Sequence, residues 1–523
     1  MSDKKSESIV KSIKSIGTQE PVGWSRSPEA VAADLQRLGD PVEQPSGSAA
    51  AAVGVHELGL VSAALAIRTG AITSEFYAKK LLERAHGLSD LMSFITIDPN
   101  QVLEAARAAD KARAAGKVSP LLGVPIGVKD SYMTRNLATT FGTKVLSKFN
   151  PEHDAAVVTT LTTAGAIVFG KNNLAEMSYS LTGFNAHHGQ PKNPHRRANI
   201  TGGSSSGAGA AVAAQIVPAA LAGDTVGSIR VPASLCGVVG FKPTPGRWPD
   251  ERIAPISSTL DAAGVMARSV EDCMLVDSIV SNTELPPQIT QSDLRGVKFA
   301  FAPKQYLDGV DPHVERKFRE ALYRIKNAGA HLVEVDMGPD FSDIAERATW
   351  PIFFYETMGA VRGFLERNKI PATFEQIYEG LGTHTKGLWS KFVVPQGAGV
   401  ILDETYRSVM TTDRLELQRR YRDIAFAQAD ALLFPTTPCA APTFAEQWKF
   451  RVAGKDVSYL ILSKNTYPTN CAGLPGISIP MGMTPDQLPL GIEIDAPVGH
   501  DRALLVLARR VESAIGEFAP PHM

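Results

Sequence analysis

The chain has 523 residues, 44% of them hydrophobic and 20% charged, a composition with room for a large buried core. Its 53 basic and 54 acidic residues leave a formal net charge of -1, so no global field favours nucleic acid or an anionic membrane. Four cysteines (Cys236, Cys273, Cys439, Cys471) are too few for a disulfide framework and form no C-x-x-C pair, which argues against a zinc knuckle and for a reducing cytoplasm.

Residues 1–54 read as a polar appendage closed by a Pro/Ser/Ala-rich linker over 41–54. Lys4, Lys5, Lys11 and Lys14 stand among serines with no apolar stretch behind them, unlike a secretion signal. The run 48–53 is too short to span a bilayer. Thr73 is placed to cap a helix whose Phe76, Tyr77, Leu81 and Leu82 recur at helical spacing, and residues 100–115 read as a second helix. Short apolar runs then alternate with helices: 123–128, 166–169, the alanine-rich 208–216, and 237–241. Residues 310–430 read as largely helical, and the basic run 414–422, interleaved with Glu416 and followed by Asp423, reads as a solvated helix face. Strand-like runs return at 431–434, 476–480 and 489–494.

This alternation predicts an α/β fold, with a central, mostly parallel mixed twisted sheet covered by helices on both faces. Because sheet segments flank the helical insert at about 310–430, one large domain over 55–515 is simpler than two independent ones.

Three segments carry chemistry. Residues 201–209, TGGSSSGAG, feed into the alanine-rich helix. Glycines free the backbone for close ligand approach, and a helix N-terminus favours negative charge. A flexible loop would look the same, and the lysine of a phosphate-binding loop is missing. Residues 223–230, GDTVGSIR, set Ser228 beside a glycine with backbone amides bunched before it, as acyl transfer requires for its oxyanion. Lys129 ends the apolar run GVPIGVK. A lysine there either snorkels past the sheet edge or, desolvated, serves as a neutral base able to activate a serine. His187 and His188 are adjacent and lack the spacing of a zinc site, and no cofactor motif is present.

The segments GVPIGVKD (123–130), GKNNLAEM (170–177), NP (193–194), GGSSSG (202–207), GDTVGSIRVPASLCGVVGFKPT (223–244) and NCAGLPGISIPMG (470–482) together resemble the amidase signature, in its order and spacing, from about residue 55 to about 510. The resemblance implies a Ser-cisSer-Lys triad: Lys129 as base, Ser204 as the bridging serine after a cis peptide bond, and Ser228 as nucleophile. It further implies an oxyanion hole of the Thr225, Val226, Gly227 and Ser228 amides, with Ser205, Asp224 and Arg230 in support. Neither a metal nor a cofactor is implied. Three positions depart from the family pattern: Gly223 stands where threonine is usual, Val226 where glycine is usual, and Ser206 where glycine is common.

Residues 240–272 look closest to the branch of indoleacetamide and mandelamide hydrolases, which implies a small aryl-substituted amide cleaved to a carboxylic acid and ammonia or an amine. Trp350, Phe353, Phe354, Tyr355 and Trp389 could then wall an aromatic pocket, with Thr436 and Thr437 reaching it; plain core is the competing reading for each aromatic. The expected partner is a small-molecule amide, with no nucleic acid and no membrane, and a homodimer is left open. Two other functions compete: the amidase subunit of a tRNA-dependent amidotransferase, and a non-catalytic scaffold that kept the fold.

Overall fold

The computed structural model describes residues 54–285, 293–516 and 518–523. The appendage and linker read from the sequence over 1–54 lie outside the described residues, apart from Gly54.

Local signals act where the sequence places them. Thr73 Oγ1 accepts from the Phe76 N–H and starts the helix Ser74–Gly87, which buries Tyr77 and Leu81 while Phe76 stays at the surface. Asp98 caps the helix Pro99–Ala114, whose proline at the first position loses only an N–H that has no partner there.

Eleven strands make one sheet: β1 (Phe94–Thr96), β2 (Pro125–Lys129), β3 (Ile167–Asn172), β4 (Ala219–Asp224), β5 (Val239–Lys242), β6 (Ala262–Ala267), β7 (Lys298–Phe301), β8 (His331–Glu334), β9 (Ala431–Pro435), β12 (Gly476–Met483) and β13 (Pro489–Asp495). Their order is β1-β3-β2-β4-β6-β5-β12-β13-β9-β7-β8, while β10 (Lys449–Val452) and β11 (Lys455–Ser458) form a separate hairpin. The α/β class and the mixed sheet are as expected. The pairing is less parallel than expected: β2 pairs parallel with β3 and β4, and β7 with β8 and β9, whereas the whole centre from β4 to β9 runs antiparallel. For β12 and β13 the reason is direct connection. A five-residue turn joins β12 to β13, too short for the crossover that parallel neighbours need.

Successive residues of the buried strands serve opposite faces. In β9, Ala431 and Leu433 join one apolar cluster with Phe299, Ile477 and Leu504, while Leu432 and Phe434 join another with Phe341, Ile352 and Trp389. Residues 310–430 are mainly helical, with β8 as the strand inside that range, and the long helix Phe341–Arg367 dominates it. In the basic run, Arg419 pairs with Glu416, Arg420 with Glu416 and Asp340, and Arg422 with Asp423, all near the surface. Among the described residues no helix is long and apolar enough to cross a membrane.

Candidate active site

The parallel pair β2–β4 brings the chemistry together. Val128 lies beside Leu221, so Lys129 closes β2 next to the end of β4, where Asp224 starts the loop to Ser228. Ligands in α/β sheets gather at such carboxyl ends. The third segment arrives from the side: Ser204 and Ser205 lead into the helix Ser206–Ala213, whose alanines and glycines lie flat against β2, β3 and β4. The peptide bond between Gly203 and Ser204 is cis.

Lys129 Nζ lies 2.8 Å from Ser204 Oγ, and Lys129 is only 2% exposed. Burial pushes its ammonium down to about 7, against the pull of the Asp224 and Asp261 carboxylates. A lysine in that range holds a large neutral fraction at neutral pH and can accept a proton, which favours the base over the snorkelling alternative.

Ser228 Oγ bonds to no other described residue and faces a cavity. The two serine loops are joined through the backbone instead, by the Ser205 N–H donating to the Ser228 carbonyl at 3.2 Å. Ser205 Oγ adds a bond to the Gly223 carbonyl at 3.1 Å. The direct Ser204–Ser228 link of a proton relay is not formed in this structure.

Asp224 organises the loop that carries Ser228. Its Oδ1 accepts from the Gly227 N–H at 2.7 Å and its Oδ2 from the Ile229 N–H at 3.0 Å. Burial alone would raise this carboxyl, but the Arg230 guanidinium beside it holds it well below the usual carboxylate range. Arg230 is itself wholly buried, spanning Asp224, Glu493 Oε1 at 2.6 Å, the Thr466 carbonyl at 3.0 Å and Asn470 Oδ1. Thr466 Oγ1 then donates to the Val226 carbonyl at 2.7 Å. This bond fixes the peptide that carries the Gly227 amide.

The expected four-amide oxyanion hole is narrowed by this arrangement. The Gly227 N–H is committed to Asp224, so the amides of Thr225, Val226 and Ser228 remain as the available donors. Valine at 226 costs no donor, and its side chain turns into the cavity wall.

That cavity, of about 320 Å³, has Ser228 in its wall together with Val226, Ile256, Leu181 and a cluster of rings. Trp350, Phe353 and Phe354 line it as the sequence suggests, and Tyr179, Phe392 and Tyr459 join them. Tyr355 and Trp389 do not. Trp389 is fully buried behind the wall, stacked on Phe374 with ring centroids 5.1 Å apart. Tyr355 turns away, with its ring on Tyr406 and its hydroxyl on Asp403 at 3.0 Å. Thr436 and Thr437 miss the cavity as well, because they are buried at the sheet against Ser478 and Ser234.

Sequence reasoning missed Asp261. One of its oxygens accepts from Thr225 Oγ1 at 2.6 Å and the other from the Ile256 and Ser257 amides at 2.8 and 3.1 Å. It therefore ties the Thr225 loop to the cavity wall, and burial pushes its carboxyl up to about 6. Lys171 and Lys242 were missed as well. Lys171 lies 3.3 Å from Asp130, and Lys242 bonds the Leu474 carbonyl at 2.5 Å. His187 lies 2.8 Å from Glu176, and among the described residues no group of three or more His, Cys, Asp or Glu side chains could hold a metal.

A buried lysine on a serine, a second serine opening onto a cavity and a loop with unpaired amides thus meet at the carboxyl ends of β2 and β4. The amidase family model matches residues 77–505, and the chain belongs to that family of amide-hydrolysing enzymes. It is 33% identical to mandelamide hydrolase of Pseudomonas putida, over 94% of this chain and 96% of that one. It is also 34% identical to a glutamyl-tRNA(Gln) amidotransferase subunit of Chromohalobacter salexigens, over 88% and 97%. A crystal structure of an amidase superposes with a TM-score of 0.76 at 28% identity, covering 88% of this chain and all of the other.

Proposed function

We propose that the chain hydrolyses small aryl-substituted amides to a carboxylic acid and ammonia or an amine, without a metal, through an acyl-enzyme on Ser228. The observation that carries this reading is Lys129 Nζ at 2.8 Å from Ser204 Oγ, buried, beside the aromatic cavity into which Ser228 opens. Neutral Lys129 takes a proton from Ser204, which takes one from Ser228 as its Oγ closes on the carbonyl carbon. The free amides of Thr225, Val226 and Ser228 hold the oxyanion, worth about 3–4 kcal/mol per donor in comparable sites. Ser204 returns a proton to the leaving nitrogen, the C–N bond breaks, and water then hydrolyses the ester. The formation of the Ser204–Ser228 bond belongs to the substrate complex, since catalytic hydrogen bonds tighten there.

The similarity to the amidotransferase subunit supports a second reading, ammonia release from glutamine. The cavity favours the first. Among the described residues of its wall Glu346 is the one charged group, and no lysine or arginine stands there to receive the carboxylate of an amino acid. A screen of phenylacetamide, mandelamide, indoleacetamide, aliphatic amides and glutamine decides between them. Aryl amides cleaved at least about tenfold faster than glutamine in kcat/KM supports the proposal. Glutamine as the best substrate overturns it.

A further inference from the structure

A second cavity reaches the same centre from the other side. It measures about 330 Å³, meets the aromatic cavity at Ser178 and Ile256, and ends on Lys129, Gly223 and Thr225. Its wall is unlike the first one: Asp261, Ser131 and Ser257 line it, and it opens to solvent past Ser258 and Gly359. A water-sized molecule takes about 30 Å³ in the liquid, so this space exceeds ammonia roughly tenfold. Gly223 enlarges it where it meets the base. The amidase signature usually carries threonine there, and a Cβ added at 223 would meet nothing nearer than Lys129 Nζ at 3.9 Å and the Ala262 carbonyl at 4.0 Å.

We propose that this polar cavity is the amine-side subsite, and that the enzyme cleaves secondary amides whose amine portion is small and carries a hydroxyl or amino group. The proposal rests on the acyl-transfer reading above. The aryl acyl group fills the cavity that holds Ser228, so the leaving nitrogen lies on the Ser204–Lys129 side, and its substituent projects into the second cavity. In R–CO–NH–R′ the Ser228 Oγ–C bond forms, the C–N bond breaks, the proton from Ser204 goes to nitrogen, and the primary amine bearing R′ departs. Water then gives R–COOH. Asp261 Oδ1 accepts a single bond, from Thr225, and a carboxylate oxygen can accept another from a hydroxyl on R′.

The test compares phenylacetamide, N-(2-hydroxyethyl)phenylacetamide and N-butylphenylacetamide in the wild type, Gly223→Thr and Gly359→Phe. Gly359 lies exposed in the helix Phe341–Arg367, and a Cβ there meets nothing within 4 Å, so a side chain at this position starts in open space at the cavity mouth. In the wild type the hydroxyethyl amide is expected within about tenfold of phenylacetamide in kcat/KM and about tenfold above the butyl amide. Each variant is expected to lower the ratio of hydroxyethyl to primary amide by about tenfold or more, with Gly359→Phe leaving phenylacetamide within about threefold of wild type. A wild type that cleaves only the primary amide, or variants that leave the ratio unchanged, overturns the subsite alone. Failure of the wild type on every amide overturns the acyl-transfer reading and this proposal with it.

Discussion

Lys129 sets the pH behaviour of the site. In the proposed mechanism the neutral amine is the base, so protonation removes activity, and kcat/KM is expected to fall as pH drops through about 7. Asp224 and Asp261 are the carboxylates that favour its cation. Asp261→Asn removes one of them, so the midpoint of that limb is expected to move to lower pH; an unmoved midpoint with lower kcat would assign Asp261 a purely structural role. Lys129→Arg holds a fixed positive charge that cannot shed its proton, and should cost about a hundredfold to ten-thousandfold in kcat at pH 8. At this scale the sequence was most informative. Lys129, Ser204 and Ser228 each sit in a short motif whose residue order survives without the fold. Asp261 has no such motif, because its role is defined by hydrogen bonds to Thr225 and Ser257 that only the folded chain creates.

Elements convert that chemistry into geometry. The Ser228 loop between β4 and the helix Arg230–Cys236 is held by Asp224, Arg230 and Thr466 rather than by its own turns. Breaking a buried ion pair by removing one partner typically costs about 3–5 kcal/mol, so Arg230→Met should lower denaturation stability by that order and abolish activity. Gly227 has φ 127°, and a Cβ there would collide with Thr466 Oγ1. Gly227→Ala is therefore expected to displace the loop and reduce kcat at least about a hundredfold, with a fold preserved by circular dichroism. Helices and strands were readable from periodicity and caps, as at Thr73. The direction of the central strands was not, since β4, β5 and β6 meet through long-range pairing. The face of each aromatic was equally hidden: Phe353 and Phe354 are adjacent on an apolar helix and both line the cavity, whereas Tyr355 turns out to Tyr406.

For the molecule as a whole, the proposed function gives the sheet the role of a rigid support and the helices over 341–392 that of specificity. The proposed catalytic residues come from β2, the β4 loop and the segment before the helix Ser206–Ala213, while four of the six rings, Trp350, Phe353, Phe354 and Phe392, come from Phe341–Arg367 and Thr383–Phe392. Chemistry and substrate choice can then vary separately. Trp350→Ala is expected to lower kcat/KM for phenylacetamide by about tenfold or more while leaving propionamide nearly unchanged, since only the larger acyl group loses buried contact. Equal loss on both amides would instead mark Trp350 as a structural support. The substrate was the least legible feature of the sequence because the cavity proposed for it is assembled from residues as distant as Tyr179 and Tyr459.

The central claim, that Ser228 carries the acyl group under the control of Lys129, is tested most directly by intact-protein mass spectrometry after reaction with an aryl fluorophosphonate. A single adduct localised to Ser228 is expected, absent in Ser228→Ala and formed at least about a hundredfold more slowly in Lys129→Ala. An adduct that persists in Ser228→Ala, or one that forms at the wild-type rate without Lys129, would contradict it.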